Sequence, residues 1–62
     1  MAQPKTFVYI LRSERDPNRH YAGITSDMAM RLAWHNAGQS VHTASNRPWQ
    51  IVVVIEFQDE RR

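Results

Sequence analysis

The stretch HYAGITSDMAMRLAWHNAG, residues 20–38, decides the fold because it predicts a short strand followed directly by a helix. Thr25, Ser26 and Asp27 are each favourable at a helix N-cap, since their side-chain oxygens accept hydrogen bonds from free N–H groups of the first turn. Gly38 is a natural helix terminator. The sequence between them therefore predicts a helix of about three turns.

This helix carries a narrow polar stripe. At about 100° per residue, Asp27, Arg31 and His35 fall on one line along it. Apolar residues occupy most of the remaining circumference: Met28, Ala29, Met30, Leu32, Ala33 and Trp34. Surface helices usually have a broad polar face, so we expect this helix to be covered on more than one side. The polar stripe would then face outward through a slot, where we expect the functional site.

A hairpin is predicted before the helix. TFVYILR and RHYAGIT are rich in β-branched and aromatic residues, and the polar run SERDPN between them is too short for a parallel crossover. If residues 13–17 form the loop, Tyr9 faces Tyr21 and Gly23 faces Phe7, all on one side of the sheet. The sequence therefore predicts two phenols paired across the hairpin.

The segment WQIVVVIEF predicts a third strand whose run Ile51–Ile55 lacks polar alternation, as is typical of a strand covered on both faces. One helix covers only one face. We therefore expect an α+β fold with a small antiparallel three-stranded sheet, one packed helix, and a second covering helix that is missing. A second copy of the chain, a homodimer, is an alternative cover. Residues 1–62 are predicted to form a single domain.

Composition narrows the chemistry. The 62 residues contain no cysteine, which excludes disulfides, thiolate metal sites and a cysteine nucleophile. The three histidines lack zinc-site spacing. No run approaches a membrane span or a secretory signal, and the expected location is cytoplasmic. The net charge is +2 and seven of eight basic residues are arginines, whose planar guanidinium groups suit phosphate oxygens. A phosphate-bearing partner is the first expectation.

Two short motifs and the helix carry a family resemblance. The first strand contains Val8-Tyr9-Ile10 and the second contains Tyr21-Ala22-Gly23, and RLAWH on the helix supplies Arg31 and His35. In this order and spacing, over residues 6–57, the chain resembles the GIY-YIG nuclease family, in particular its small single-domain bacterial members.

The resemblance implies a metal-dependent endonuclease that hydrolyses phosphodiester bonds in DNA, of repair or recombination type. It implies Tyr9 as the general base or water-orienting phenol and Tyr21 as its partner across the hairpin. Arg31 would clamp the scissile phosphate, and His35 would assist proton transfer or phosphate binding. Mg²⁺ or Mn²⁺ is the implied cofactor and DNA the implied partner.

Further positions follow from the same resemblance. Gly23 is the glycine of the second motif, and His42 and Arg47 are expected to contact nucleic-acid phosphates. The family carries a metal-binding glutamate on a helix after the third strand, and this chain stops before that helix, as a truncated or minimal member would. Glu56 and Glu60 are only weak candidates for the metal role, so the metal ligand stays unknown.

The free energy needed to ionise a phenol limits the role of Tyr9. Tyrosine titrates near 10, so an ionised phenol at pH 7 requires about 4 kcal/mol of favourable interaction. A cation about 4 Å away supplies about that amount at an effective dielectric of 20. A partly buried pocket containing Arg31 is therefore expected to be just sufficient.

Simpler interpretations remain open at this point. Tyr9 and Tyr21 form a favourable aromatic pair without any chemistry, Arg31 suits an ion pair with Asp27, and His35 suits a solvent-facing helix end. The alternative function is a catalytically inactive module of the same fold that binds nucleic acid or a protein partner.

Overall fold

The computed structural model describes residues 5–58, which form one antiparallel sheet and one α-helix. Strand β1 is Lys5–Ser13, β2 is His20–Thr25 and β3 is Trp49–Gln58. Helix α1 is Met28–Asn36, and a short 3-10 helix, Ala44–Asn46, precedes β3. The strand order is β2-β1-β3, with both pairs antiparallel. The predicted α+β class, a three-stranded antiparallel sheet with a packed helix, is confirmed. No helix among residues 5–58 is long and apolar enough to span a membrane.

The hairpin register differs from the prediction by two residues. Tyr9 pairs with Gly23, and Tyr21 pairs with Leu11. The predicted pairing of Tyr9 with Tyr21 is therefore wrong, as is that of Gly23 with Phe7, which pairs with Thr25. Because the shift is an even number of residues, the two tyrosines still project from the same face.

The turn between β1 and β2 explains the shift. Arg19 N–H donates to the Asp16 carbonyl at 2.8 Å, and Asn18 N–H donates to the Asp16 carboxylate at 3.2 Å. This is a turn closed by an aspartate side chain, with Pro17 at the position that favours its fixed φ. The turn takes up two residues that the prediction had assigned to β2.

Both ends of α1 follow from local chemistry. The Asp27 carboxylate accepts a hydrogen bond from Met30 N–H at 3.0 Å and caps the first turn. At the other end, Gly38 has a φ of 83°, its N–H donates to the His35 carbonyl, and Gln39 N–H donates to the Trp34 carbonyl. These two bonds form a Schellman motif, which requires the left-handed conformation that glycine adopts without strain.

The predicted polar stripe of α1 divides between the core and an open cleft. His35 is completely buried against the sheet, whereas Met30 is 68% exposed and Trp34 is 36% exposed. His35 therefore points into the core, where the Tyr9 phenol is its polar partner, whereas Asp27 and Arg31 line an open cleft. The expected outward-facing slot for His35 is wrong.

The small core lies between α1 and the face of the sheet that carries Tyr9 and Leu11 of β1. Tyr9, Leu11 and Trp49 are its buried members, with Met28 and Leu32 of the helix packed against them. The Asn36 side-chain amide accepts a hydrogen bond from Trp49 N–H at 2.6 Å and donates one to the Trp49 carbonyl at 3.1 Å, which ties the end of α1 to the start of β3. No helix among residues 5–58 packs over the distal part of β3. Its large apolar side chains, Ile51–Ile55 and Phe57, are 38–50% exposed.

Candidate active site

Gly23 sits where the phenol of Tyr9 crosses the neighbouring strand. A Cβ atom at Gly23 would lie 2.6 Å from Tyr9 Cζ and would collide with Tyr9 Oη as well. The phenol therefore occupies the space that a side chain at Gly23 would need, and any larger residue would displace it. This contact is the physical reason for a glycine at the end of the Tyr21-Ala22-Gly23 motif.

Substituting Gly23 with alanine is expected to destabilise the protein by about 1–3 kcal/mol, the usual cost of overpacking. The measurement is urea unfolding followed by tryptophan fluorescence. In a Tyr9→Ala background, where no ring occupies the space, the same substitution should cost much less. Equal costs in both backgrounds would contradict the contact with Tyr9.

His35 is the centre of a buried hydrogen-bonded chain. Its Nε2 atom is 2.9 Å from Tyr9 Oη, and its Nδ1 atom is 2.8 Å from Thr43 Oγ1. All three side chains are nearly or fully buried. The imidazole thus links the phenol of the central strand to a hydroxyl of the loop after α1.

Tyr21 reaches the same histidine from β2. Its ring centroid lies 4.9 Å from that of His35, at an interplanar angle of 61°. The Tyr9 and His35 rings are 5.9 Å apart at 63°. The two tyrosines therefore converge on His35 as edge-to-face aromatic neighbours, which is a favourable arrangement for aromatic rings.

Arg31 lies one turn before His35 and borders an open cleft of about 260 Å³. The other residues that line the cleft are Thr25, Ser26, Asp27, Met30 and Trp34. The Arg31 guanidinium stacks on the Trp34 ring, 4.6 Å from its centroid. Within residues 5–58 no ion pair joins Arg31 to a carboxylate, and the Asp27 carboxylate serves as the helix cap instead. The alternative in which Arg31 is merely the ion-pair partner of Asp27 is therefore not what the structure has.

Burial sets the protonation states of the hydrogen-bonded pair. Desolvation raises the pKa of Tyr9 above its ordinary value, Tyr21 raises it further, and Arg31 only partly opposes them. Desolvation and the nearby charge of Arg31 both lower the pKa of His35. Both groups are therefore neutral at pH 7. The expectation that Arg31 would suffice to hold Tyr9 ionised is wrong, because burial outweighs the charge.

Two predicted phosphate contacts lie apart from this cluster. His42 is exposed in the loop after α1. Arg47 is also exposed, donates from Nε to the Ala44 carbonyl at 2.8 Å, and lays its guanidinium over Gly38. Neither makes a described contact with Tyr9 or His35. Sequence reasoning gave no role to Thr43, whose contact with His35 arises only when the loop folds back over the helix.

The described residues do not fit a divalent metal by themselves. No group of three or more His, Cys, Asp or Glu side chains within residues 5–58 is arranged to hold one. The Glu56 carboxylate is half exposed and pairs with Lys5 Nζ at 3.4 Å. Glu60 lies outside the described residues. These side chains alone therefore do not form a divalent metal site.

Comparison with known proteins gives a match to the family described as the GIY-YIG catalytic domain over residues 5–62. The structure-specific endonuclease subunit slx1 of Talaromyces stipitatus is 42% identical in a region covering 77% of this chain and 14% of that protein. The protein of the same name from Talaromyces marneffei is 40% identical over the same shares. This chain thus spans about one seventh of the length of these curated relatives. No solved structure matches it.

Proposed function

Because the chain belongs to the GIY-YIG catalytic-domain family, as its motifs predicted, we propose that it is a nuclease module that hydrolyses phosphodiester bonds in DNA. Repair or recombination is the proposed setting, with branched DNA as the substrate class. Two relatives named as structure-specific endonuclease subunits support this choice. A cysteine-free chain suits a reducing compartment, and the cytoplasm is the proposed location.

The observation that carries the proposal is the convergence of Tyr9 and Tyr21 on one buried histidine, with Arg31 one turn away beside an open cleft. Phosphoryl transfer depends mainly on positioning and on stabilising negative charge. The Arg31 guanidinium at the cleft supplies positive charge, and the buried Tyr9–His35 pair, with His35 one helical turn from Arg31, supplies neutral proton-transfer groups.

Arg31 is the proposed clamp on the scissile phosphate. Its planar guanidinium donates two parallel hydrogen bonds to phosphate oxygens, which a lysine ammonium does not. The cation–π contact with Trp34 holds the guanidinium beside the cleft without neutralising its charge. The clamp is therefore positioned at the cleft before substrate binds.

Tyr9 and His35 are the proposed proton-transfer pair. As a water oxygen bonds to phosphorus, the water proton passes to Tyr9 Oη and the phenol proton passes to His35 Nε2, 2.9 Å away. The bond from phosphorus to the leaving sugar oxygen breaks, and that oxygen takes a proton from solvent. His35 later returns its proton to solvent, so protons and charge balance.

This route avoids an ionised tyrosine. Forming tyrosinate at pH 7 costs more than about 4 kcal/mol once burial has raised the pKa of Tyr9. His35 is already neutral at that pH because its pKa is lowered. A neutral phenol that relays a proton to a neutral imidazole therefore requires no prior ionisation.

The remaining assignments complete the proposed site. The Tyr21 ring holds His35 in orientation from β2, and its phenol is proposed to orient the attacking water. His42 and Arg47 are proposed to contact the DNA backbone away from the scissile bond, where their exposure suits phosphate binding.

GIY-YIG nucleases are generally metal-dependent. On family grounds the proposed metal is Mg²⁺ or Mn²⁺. The family role of a metal-binding glutamate is assigned to neither Glu56 nor Glu60. Tyr9, His35 and Arg31 act through their own side chains in the proposed reaction, and the divalent ion is supplied in the assay.

The testing experiment is a nicking assay with labelled branched DNA, purified protein and Mn²⁺. Cleavage that requires both Arg31 and Tyr9 supports the proposal. A gel shift that weakens steeply with salt, without any cleavage, would refute it, since phosphate contacts alone give affinity and no chemistry.

A catalytically inactive binding module is the second candidate, and the exposed apolar side chains of β3 favour it. In this form the uncovered β3 face would pack against the same face of a second copy, giving a homodimer. Sedimentation equilibrium showing only monomer at all concentrations would contradict that pairing.

A further inference from the structure

Thr43 is held rigidly at the inner end of the hydrogen-bonded chain. Its carbonyl accepts a bond from Trp49 Nε1 at 2.8 Å, and its own N–H donates to the Ser40 carbonyl at 3.2 Å. The side chain is completely buried, with Oγ1 2.8 Å from His35 Nδ1. The backbone on both sides of this hydroxyl is therefore fixed, and it meets the imidazole in a defined position.

A neutral imidazole between two hydroxyls has two possible proton arrangements. In the first, Tyr9 donates to Nε2 and Nδ1–H donates to Thr43. In the second, Thr43 donates to Nδ1 and Nε2–H donates to Tyr9. Each arrangement leaves one hydroxyl hydrogen without a recorded acceptor among residues 5–58: that of Thr43 in the first, that of Tyr9 in the second.

Relative acidity favours the first arrangement. A phenol is a far stronger acid than an aliphatic alcohol, so its O–H is the better donor, and leaving it unbonded costs more. The threonine oxygen is the better acceptor, because the phenol oxygen shares its electrons with the ring. The proton of His35 therefore belongs on Nδ1, where Thr43 accepts it.

We propose that Thr43 is a positioning residue that holds His35 in the Nδ1–H tautomer and so leaves Nε2 free to take the proton of Tyr9. This inference rests on the proposed function. It extends the site to a third residue, in the manner of a base oriented by another group. Without the hydroxyl, a buried Nδ1–H would lose its acceptor at a cost of about 1–3 kcal/mol. The ring is then expected to carry its proton on Nε2, pointing at Tyr9 and blocking the transfer.

The direct test is nitrogen-15 NMR of histidine-labelled protein, which distinguishes the two tautomers through their two-bond couplings. His20 and His42 are exposed and serve as internal references. Wild type and Thr43→Ser are expected to show His35 as Nδ1–H, and Thr43→Val is expected to show it as Nε2–H. An Nε2–H signal in wild type overturns the proposal without needing any variant, and so does an unchanged Nδ1–H signal in Thr43→Val.

Activity provides a second readout. Thr43→Val is expected to lower kcat at least about tenfold with little change in KM, because a wrong tautomer impairs chemistry and not binding. Thr43→Ser, which keeps the hydroxyl, should stay within about threefold of wild type. Wild type that fails to cleave DNA but shows the Nδ1–H tautomer would refute the nuclease function and leave the tautomer assignment intact, so the two failures are distinguishable.

Discussion

Replacing Arg31 with alanine is expected to slow cleavage of branched DNA by about 10³-fold, the scale on which an arginine stabilises a phosphoryl-transfer transition state. Arg31 is the only cationic side chain lining the cleft within residues 5–58, so no described neighbour substitutes for it. Its side chain lies at the surface of the fold, and the melting temperature should change little. Single-turnover rates with protein in excess would measure the effect.

Two variants make this test specific. Arg12→Ala removes the same charge from the opposite face of β1 and should leave the rate nearly unchanged. Arg31→Lys keeps the charge but loses the planar fork, and should recover only part of the rate. Equal losses in Arg12→Ala and Arg31→Ala would mean that general charge, and not a clamp, explains the effect.

Replacing Tyr9 with phenylalanine is expected to lower the single-turnover rate by about 10²–10⁴-fold, the usual range for a positioned proton-transfer group. The change also leaves buried His35 Nε2 without its partner, which should cost about 1–3 kcal/mol of unfolding free energy. A rate assay and urea unfolding measure these two effects separately.

A double substitution tests whether Tyr9 and His35 act as one unit. If the phenol works by passing its proton to the imidazole, Tyr9→Phe combined with His35→Gln should be hardly slower than either single variant. Rate losses that multiply would show that the two residues act independently, and the relay would be wrong.

The pH dependence follows from the direction of both pKa shifts. The pKa of His35 is lowered, so the relay should lose activity only as the pH falls below about 6.5, when the imidazole becomes protonated. The same shift contributes stability above about pH 6.5 that is lost as pH falls through the lowered pKa, because the unfolded chain then binds more protons. A rate that instead rises steadily towards pH 10 would indicate a tyrosinate base.

Much of the architecture is predictable because each element carries local signals. Periodicity identifies the strands, Asp27 caps the helix by its own side chain and Gly38 ends it by its φ. The hairpin register is harder to predict from the sequence, because it depends on whether residues 16–19 form a turn of their own, closed by a hydrogen bond from Arg19 N–H to the Asp16 carbonyl. A two-residue difference in loop length is enough to move Tyr21 away from Tyr9.

The site shows a different limit of sequence reasoning. The motifs name Tyr9, Tyr21, Arg31 and His35 as site residues, and their roles stay predictions. Hydrophobic pattern alone did not show that His35 points into the core while Arg31 borders the cleft. His35 is buried because Tyr9 on β1 and Thr43 in the loop satisfy both ring nitrogens. Contacts between residues far apart in the sequence produce no hydrophobic periodicity, so the sequence pattern does not predict them. Thr43 was missed for the same reason.

The strand order has a consequence for how the site tolerates thermal motion. β1 is bonded along both of its edges, so displacing Tyr9 requires opening two ladders at once. β2 is held along one edge only, and fraying there releases Tyr21 while the proton-transfer pair stays assembled. Warming is therefore expected to release Tyr21, the proposed orienter of the attacking water, first. The Tyr9–His35 pair should separate only when the whole domain melts.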